Sequence, residues 1–213
     1  MTAQQTRREM ARRLAADIPD GAYVNLGIGL PVMLVEFWRA EQEIVVHSEN
    51  GILGMRALAE GEAVDPDLMN AAKQPVAMID GGAFFHHADS FAMMRGGHLD
   101  YCVLGGYQVS QSGDLANWSL GQPGVAAAVG GAMDLVVGAR NVYVLMEHTT
   151  RDGAPRLVQR CSLPLTGLAC VDRVYTELGS FEVTPGGLRV LHMVEGLTRS
   201  DLMSRTDAEL IFD

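Results

Sequence analysis

The feature that most constrains the fold is a repeated order of short apolar segment, glycine-rich turn and helical pattern. The apolar segments are four or five residues long and rich in β-branched side chains, as buried strands are. Strands that alternate with helices form βαβ units, whose strands lie parallel in one sheet. Such segments occur at 22–26, 44–47, 76–79, 101–104 and 142–146. We therefore predict a single α/β domain over residues 1–213, with a mostly parallel open sheet flanked by helices.

Helical patterns stand between and before these segments. Met10, Leu14 and Ile18 fall on one stripe of a helix predicted over residues 1–17. Pro31 follows the first strand and suits the first position of a second helix, because a proline there loses no helical hydrogen bond.

A short helix is predicted over residues 89–95, with its N-cap at Asp89 or Ser90. From residue 156 onward helical patterns are scarcer and short strands predominate, before a last helix over 200–205. We therefore expect a strand-rich C-terminal part.

The charge balance excludes some classes of partner. The formal net charge is -10, from 16 basic and 26 acidic side chains, which disfavours nucleic acid and anionic membranes. Lys73 is the sole lysine among the basic residues, which suggests a site where a compact point charge is needed. The three cysteines form no metal-binding pair, and no apolar stretch follows the arginines near the N-terminus. We expect a cytoplasmic protein.

Glycines cluster where the predicted strands end. Open α/β sheets bind ligands at the carboxyl ends of their strands, and glycine lets a backbone approach a ligand closely. Several such turns together predict a large ligand laid along one edge of the sheet. The glycine pairs are 27 and 29, 51 and 54, 81 and 82, 105 and 106, and 130 and 131.

The turn at residues 48–51 holds a candidate catalytic carboxylate. Glu49 directly follows the second predicted strand, and Asn50-Gly51 favours a turn with positive φ. Such a turn presents a carboxylate to a cleft among backbone N–H groups. A solvated glutamate in an ordinary turn is the alternative, and the local pattern leaves both open.

Other familiar sites are absent or poorly formed. His86 and His87 are adjacent and point in different directions, so we expect substrate contact or structural hydrogen bonds rather than metal binding. Residues 27–29 lack the third glycine of a dinucleotide fingerprint, and no Gly-x-Ser-x-Gly elbow occurs. Cys102 lies within an apolar strand and is predicted to be a core residue.

Several long motifs follow one another along the chain. They are 24–31 (VNLGIGLP), 48–55 (SENGILGM), 89–100 (DSFAMMRGGHLD), 113–118 (GDLANW), 130–135 (GGAMDL), 146–149 (MEHT) and 164–167 (PLTG). In these motifs, the chain resembles the B subunits of family I CoA-transferases from about Arg7 to about Val194. Within that family, residues 84–95 (FFHHADSFAMMR) look most like 3-oxoadipate CoA-transferases of aromatic catabolism.

The resemblance implies a fold like those of CoA-transferases and sugar-phosphate isomerases, and a ping-pong reaction on Glu49. Its carboxylate corresponds to the family's nucleophile, which forms an acyl-glutamyl anhydride with succinyl-CoA and then a glutamyl-CoA thioester. A 3-oxoacid, expected to be 3-oxoadipate, then takes the CoA. Coenzyme A is thus a substrate, and neither a metal nor another cofactor is implied.

The resemblance also implies ligand contacts and a partner. Asn25 and Lys73 match family residues near the carboxylate and CoA, and Gly130 and Gly131 match a loop beside the pantetheine arm. Further CoA-binding positions are Gly27, Gly29, Ser48, Asn50 and Gly51. A separate CoA-transferase A subunit is expected, in an α2β2 heterotetramer that binds acyl-CoA and small carboxylic acids.

Three positions depart from the family pattern, namely Arg56, Ala72 and Asp80. Arg56 adds a cation near the turn at residues 48–51, which we call the active turn. This cation suits a dicarboxylate or changes the acyl preference. Two alternative functions keep the fold. In a CoA-ester hydrolase, water would resolve the thioester. A non-catalytic subunit would bind acyl-CoA without turnover.

Overall fold

A ten-stranded sheet forms the frame of the protein. The computed structural model describes residues 2–39, 41–122, 124 and 127–212; Met1, where the first predicted helix starts, lies outside them. Five parallel strands make up the centre of the sheet. Parallel strands are usually covered on both faces, and a central position in the sheet provides that cover. In spatial order they are β2 (Val45–Ser48), β1 (Tyr23–Leu26), β5 (Tyr101–Leu104), β8 (Asn141–Leu145) and β10 (Arg173–Tyr175).

Antiparallel strands extend this centre on both sides. Beside β2 lie β3 (Ile52–Arg56) and β4 (Ala77–Phe84). Beside β10 lie β11 (Gly179–Thr184), β12 (Gly187–Met193) and the short β13 (Leu210–Ile211), which runs parallel to β12. Of the nine pairings between described strands of this large sheet, five are parallel, so the predicted mostly parallel α/β domain with a strand-rich C-terminal part is confirmed.

A second, three-stranded sheet lies beside the first. It consists of β7 (Leu115–Ala116), β6 (Gln108–Ser110) and β9 (Leu157–Val158). Val109, Leu115 and Leu157 are fully buried in it. This small sheet supports the chain segments that leave β5 and β8, at the end of the large sheet where the candidate site lies.

The helices cover the two faces of the large sheet. The helix α1 (Ala3–Ala16) begins at a capping box made by Thr2 and Gln5. The remaining helices are α2 (His87–Arg95), α3 (Ala132–Gly138), α4 (Arg199–Ser204) and a 3₁₀ helix, Leu30–Glu36. Among the described residues, no helix combines the length and the apolar character that a bilayer crossing requires.

The core is divided in two by the sheet. Side chains alternate between faces along a strand, so Cys102 and Leu104 pack with the cluster that includes α2 and α3. Val103, between them, packs with Met10 and Leu14 of α1 on the opposite face. The short central strands are therefore rich in apolar residues, which is why the sequence predicts the positions of β1, β2, β5 and β8; β10 was not among the predicted segments.

Several local predictions need correction. The helix predicted from Pro31 is a 3₁₀ helix that starts at Leu30. Gly54, Gly81 and Gly82 do not form loops at strand ends; they lie inside β3 and β4, whose pairing shifts register between Leu53 and Met55. Some of the glycines therefore allow this irregular strand pairing, whereas others line the cleft.

The cap of α2 also differs from the prediction. His86, and not Asp89 or Ser90, is the N-cap, because its ring Nδ1 accepts a hydrogen bond from the Ala88 N–H at 3.1 Å. This role agrees with the structural hydrogen bonding expected for the histidine pair.

The order of the central strands defines where ligands should bind. The chain passes from β1 to β2 on one side, and β5, β8 and β10 then lie on the other side of β1. The connections after β1 and β5 thus diverge, which opens a crevice at the carboxyl ends of these strands.

Candidate active site

A cavity of about 380 Å³ lies at this crevice. Its walls come from the segments that follow β1, β2, β5 and β8, together with the start of α3. The lining residues are Asn25, Leu26, Gly27, Ile28, Leu30, Glu49, Ala71, Leu104, Gly105, Gly106, Tyr107, Asn117, Ala128, Val129, Gly130, Gly131, Ala132, Leu135, Leu145, Met146, Glu147 and Arg156. We call this space the cleft.

Glu49 presents its carboxylate to the cleft. The side chain is half-buried and packs directly on the backbone of Gly131, where an added Cβ would overlap Oε2. Phe91 of α2 packs beside the same glycine, with its Cζ 3.3 Å from the position that a Cβ of residue 131 would take. A carboxylate held against backbone and an aromatic edge loses part of its hydration, which is what a carboxylate nucleophile requires.

The hairpin from β2 to β3 sets the position of Glu49. Gly51 has a φ of 109°, and a Cβ there would overlap the carbonyl oxygen of Phe85. Phe85 in turn donates its N–H to the Gly51 carbonyl at 3.0 Å. His87 Nδ1 lies 2.9 Å from the Glu49 carbonyl oxygen, which fixes the backbone of the candidate catalytic residue itself.

A buried histidine lies in β2, two residues before Glu49. His47 is 0% exposed, with Nδ1 2.9 Å from Asn25 Nδ2 and Nε2 2.9 Å from Ser90 Oγ. Since the amide nitrogen only donates, Nδ1 accepts and the neutral ring donates from Nε2 to Ser90. Burial lowers the pKa of His47 to about 4, so the ring is neutral at pH 7.

This network determines which end of the Asn25 amide is free. Asn25 Nδ2 also donates to the His47 carbonyl oxygen at 3.3 Å, and a carbonyl can only accept, so the amide cannot be flipped. Oδ1 has no hydrogen bond to any other residue in the described part of the chain. Asn25 therefore offers the cleft an acceptor, which suits an amide N–H of a ligand.

A loop over residues 68–76 packs along the outer side of the active turn. Ser48 Oγ accepts from the Ala71 N–H at 3.0 Å, and Asn50 Nδ2 donates to the Met69 carbonyl at 2.8 Å. Lys73 is exposed and has a φ of 61°, an uncommon conformation for a residue other than glycine. Ala72, where the family has glycine, has no positive φ and so tolerates its side chain.

The structure brings together part of the predicted site. Asn25, Gly27, Glu49, Gly130 and Gly131 all line the cleft. The remaining predicted positions lie around it: Gly29 lines a second cavity behind the 3₁₀ helix, Ser48, Asn50 and Gly51 shape the active turn, and Lys73 lies on the outer loop.

Other residues of the cleft were not predicted from the sequence pattern. Tyr107, Asn117, Glu147 and Arg156 line the cleft but are far from Glu49 in sequence. The motifs at 113–118 and 146–149 contain two of them, Asn117 and Glu147, and were a usable signal. Arg156 has no local signal, because only the packing of β9 beside β6 brings it to the cleft.

Arg56 does not occupy the position expected for a substrate cation. Its guanidinium makes two 2.8 Å hydrogen bonds to the Glu62 carboxylate and lines the second cavity, not the cleft. Glu62 thus neutralises the cation that was expected to suit a dicarboxylate, and the hydrogen bond from Arg56 lowers the pKa of Glu62 to about 2.

Two further predictions concern metal ligands and Cys102. Residues 2–39, 41–122, 124 and 127–212 contain no cluster of three or more histidine, cysteine or acidic side chains that could hold a metal ion. Cys102 is fully buried, and burial raises the pKa of its thiol well above the usual range. It is the core residue that the sequence predicts.

The sequence resembles enzymes that act on CoA esters. The profile of the coenzyme A transferase family matches residues 7–202. The B subunit of the 3-oxoadipate CoA-transferase of Pseudomonas putida is 53% identical over 211 residues, covering 99% of both chains. That of Acinetobacter baylyi is 51% identical, covering 97% of this chain and 95% of the relative. Human mitochondrial succinyl-CoA:3-ketoacid coenzyme A transferase 2 is 44% identical, covering 95% of this chain but 40% of the longer relative.

Solved structures share the fold at low identity. The Escherichia coli acyl-CoA transferase YdiF superposes with a TM-score of 0.77 at 19% identity; 97% of this chain matches, and it spans 42% of that longer chain. The decarboxylase AibA/AibB superposes with a TM-score of 0.66 at 20% identity, covering 97% of this chain and 85% of that one. Because a decarboxylase has this fold too, the fold alone does not specify the reaction.

Proposed function

The chain belongs to the coenzyme A transferase family, and we propose that it is the subunit that carries the nucleophile, Glu49, of a succinyl-CoA:3-oxoacid CoA-transferase. One observation carries the proposal. The Glu49 carboxylate lies in the cleft at the carboxyl ends of β1 and β5, against the backbone of Gly131, where a Cβ would displace it. The half-buried carboxylate is thus accessible to a ligand while being partly shielded from water.

The proposed reaction proceeds by double displacement. Glu49 attacks the succinyl-CoA carbonyl, the C–S bond breaks, and an anhydride and CoA thiolate form. The thiolate attacks the glutamyl carbonyl, which expels succinate and leaves a glutamyl-CoA thioester. The acceptor carboxylate then attacks this thioester and releases the thiolate, which attacks the acyl carbonyl of the new anhydride and regenerates the Glu49 carboxylate. No redox step occurs, and CoA is the only coenzyme required.

The surroundings of Glu49 support this scheme. Glycine backbone at Gly27, Gly105 and Gly130 lines the cleft, so an extended pantetheine arm can lie against the strand ends. Asn25 Oδ1 is free to accept an amide N–H of that arm, because His47 occupies both hydrogen-bonding directions of Nδ2. We assign Lys73 to the outer rim, where its charge is available to the CoA phosphates.

We propose 3-oxoadipate as the acceptor. The support is the 51% and 53% identity to two bacterial proteins named as B subunits of 3-oxoadipate CoA-transferases, against 44% for the human succinyl-CoA:3-ketoacid transferase. The cytoplasmic location expected from the free thiols stays a prediction.

We further propose that the active enzyme contains a separate A subunit, in an α2β2 heterotetramer. The bacterial relatives are named as B subunits, and this chain matches 40% of the human chain, which leaves a large part of that enzyme outside the match. The isolated chain is therefore expected to have little activity.

Covalent trapping tests the proposal. The chain is co-purified with its candidate A subunit, mixed with succinyl-CoA, and its intact mass is measured before and after borohydride reduction. The wild type should gain a thioester-linked CoA that maps to the peptide with residues 48–51, and Glu49→Gln should gain none. Glu147→Gln is the matched control, since this second cleft glutamate is paired with Arg7 at 2.6 Å.

The same samples separate the alternative functions. Hydrolysis of the adduct at equal rates with and without an acceptor acid would identify a CoA-ester hydrolase. Tight acyl-CoA binding without any adduct would identify a non-catalytic binding subunit, which would contradict the proposal.

A further inference from the structure

The cleft continues well beyond the nucleophile. Glu49 follows β2, whereas Glu147 and Arg156 line the cleft beyond β8. Three strand-to-strand steps separate β2 from β8 in the sheet, which amounts to about 14 Å. The cleft thus has a reacting end at Glu49 and a distal end at Arg156.

The distal end contains a cation without a counter-charge at contact distance. Arg156 forms no hydrogen bond or ion pair through its guanidinium with any residue that the structure describes. Besides Glu49, the acidic lining residue is Glu147, and its pKa is lowered mainly by the hydrogen bond from Arg7, with smaller contributions from the charges of Arg7, Arg156 and Arg151. Arg7 therefore already neutralises Glu147, so Arg156 remains available to an anion.

Arg156 is attached to a rigid support. Its N–H donates to the His148 carbonyl at 3.0 Å, and its carbonyl accepts from the Val109 N–H at 2.9 Å. Leu157, the next residue, is fully buried in β9. A side chain that leaves such a support loses less conformational entropy when it binds a ligand.

A second donor lines the same cleft. Asn117 Oδ1 accepts from Thr166 Oγ1 at 2.6 Å, which directs the amide so that Nδ2 is the free end. Nδ2 has no partner among the described residues. An arginine fork and an amide N–H in one cavity form a typical carboxylate-binding pair.

Resting on the function proposed above, we propose that Arg156 and Asn117 bind the terminal carboxylate of a dicarboxylic acyl group whose other end reacts with Glu49. Succinate and 3-oxoadipate both carry such a second carboxylate. An extended six-carbon chain is about 6 Å long from its bond lengths. The long side chains of Glu49 and Arg156 cover the remaining distance from the two ends of the cleft.

The experiment measures acceptor choice with the donor step removed. Enzyme co-purified with the A subunit is first loaded with succinyl-CoA to the glutamyl-CoA thioester and freed of excess donor. Its discharge is then followed in single turnover with 3-oxoadipate or 3-oxohexanoate, which has the same chain length and lacks the second carboxylate. The two rates compare acceptors on one preformed intermediate.

Arg156→Gln should slow discharge by 3-oxoadipate about 100-fold, because a charge-assisted bidentate contact is lost. Discharge by 3-oxohexanoate should change less than about threefold, because no partner charge is lost. Arg156→Lys should restore part of the preference, and Asn117→Ala should slow 3-oxoadipate about 10-fold, the effect of one hydrogen bond to a charged group. Arg56→Gln is the matched arginine control outside the cleft, and it should alter neither rate.

Two results would overturn the inference. Equal slowing of both acceptors by Arg156→Gln would assign Arg156 to CoA binding or to structure. Unchanged rates with both acceptors would show that the distal cation does not contact substrate. Failure of the wild type to form any thioester would instead refute the proposed function, which keeps the two failures distinct.

Discussion

His47 and His148 occupy equally buried sites in different halves of the sheet, and of the two rings only that of His47 is hydrogen-bonded to a residue that lines the cleft. Both are 0% exposed, and burial lowers the pKa of each to about 4. Each ring makes two hydrogen bonds near 3 Å. The partners of His47 are Asn25, a cleft residue, and Ser90 of α2; those of His148 are Thr176 and Thr206 in the strand-rich part.

This difference teaches that burial and a shifted pKa do not by themselves identify a functional histidine. The same physical environment serves positioning in one half and stability in the other. What distinguishes the halves is the next contact, since Asn25 opens into the cleft whereas Thr176 closes a turn through the Gly179 carbonyl. The following predictions test whether the surroundings of His47 control activity and those of His148 control stability.

The largest effect is expected from two glycine substitutions with opposite outcomes. A Cβ at Gly131 overlaps the flexible Glu49 carboxylate, so Gly131→Ala should reduce kcat/KM about 100-fold, as about 1 Å of misplacement does. A Cβ at Gly179 overlaps the backbone carbonyl of His192, so Gly179→Ala should destabilise the fold. Steady-state kinetics and urea unfolding of both variants measure these two effects. A Gly131→Ala variant that is itself unstable would contradict the separation of activity from stability.

Acid should destabilise the protein through both histidines. An unfolded histidine titrates near pH 6.5 and these titrate near 4 when folded, so between these values the unfolded state binds more protons. Stability therefore falls as the pH drops from 6.5 to 4, by up to about 3 kcal/mol per histidine. Urea unfolding at pH 7, 5.5 and 4.5 tests this. His148→Gln should flatten the slope; an unchanged slope would disprove its contribution.

Smaller effects are expected when each histidine is replaced by glutamine, and they should fall on activity at one site and on stability at the other. His47→Gln should reduce kcat about 10-fold, because one hydrogen bond that orients Asn25 is weakened. His148→Gln should leave kcat of the folded enzyme unchanged while it lowers the free energy of unfolding by about 1–3 kcal/mol. If His148→Gln impaired turnover as much as His47→Gln, the contrast between the two sites would not hold.

The smallest effect is expected at Arg56. Its ion pair with Glu62 is solvent-exposed, and such pairs contribute little. Arg56→Gln should therefore leave the preference between 3-oxoadipate and 3-oxohexanoate within about twofold of the wild type, since the side chain lines another cavity. A larger shift in that preference would indicate that Arg56 acts on the acceptor in the cleft, which would contradict this prediction.

The central strands and the active turn were largely predictable from the sequence. The strand at 101–104 agrees residue for residue with β5, because a strand covered on both faces is a continuous apolar run. The irregular antiparallel pairing of β3 with β4 was not predicted, since its glycines resemble loop glycines until the pairing is seen. The His86 cap was missed because its ring accepts a hydrogen bond that side chains of other types usually accept.

The sequence by itself determined the fold class, the position of Glu49 after β2 and, through its motifs, the family. These depend on local pattern and on short segments whose spacing the backbone preserves. Only the tertiary structure decided that Gly131 faces Glu49, that His47 orients Asn25, and that Arg156 rather than Arg56 lines the cleft. Such contacts join residues up to about a hundred positions apart, and strand order, which local sequence does not encode, brings them together.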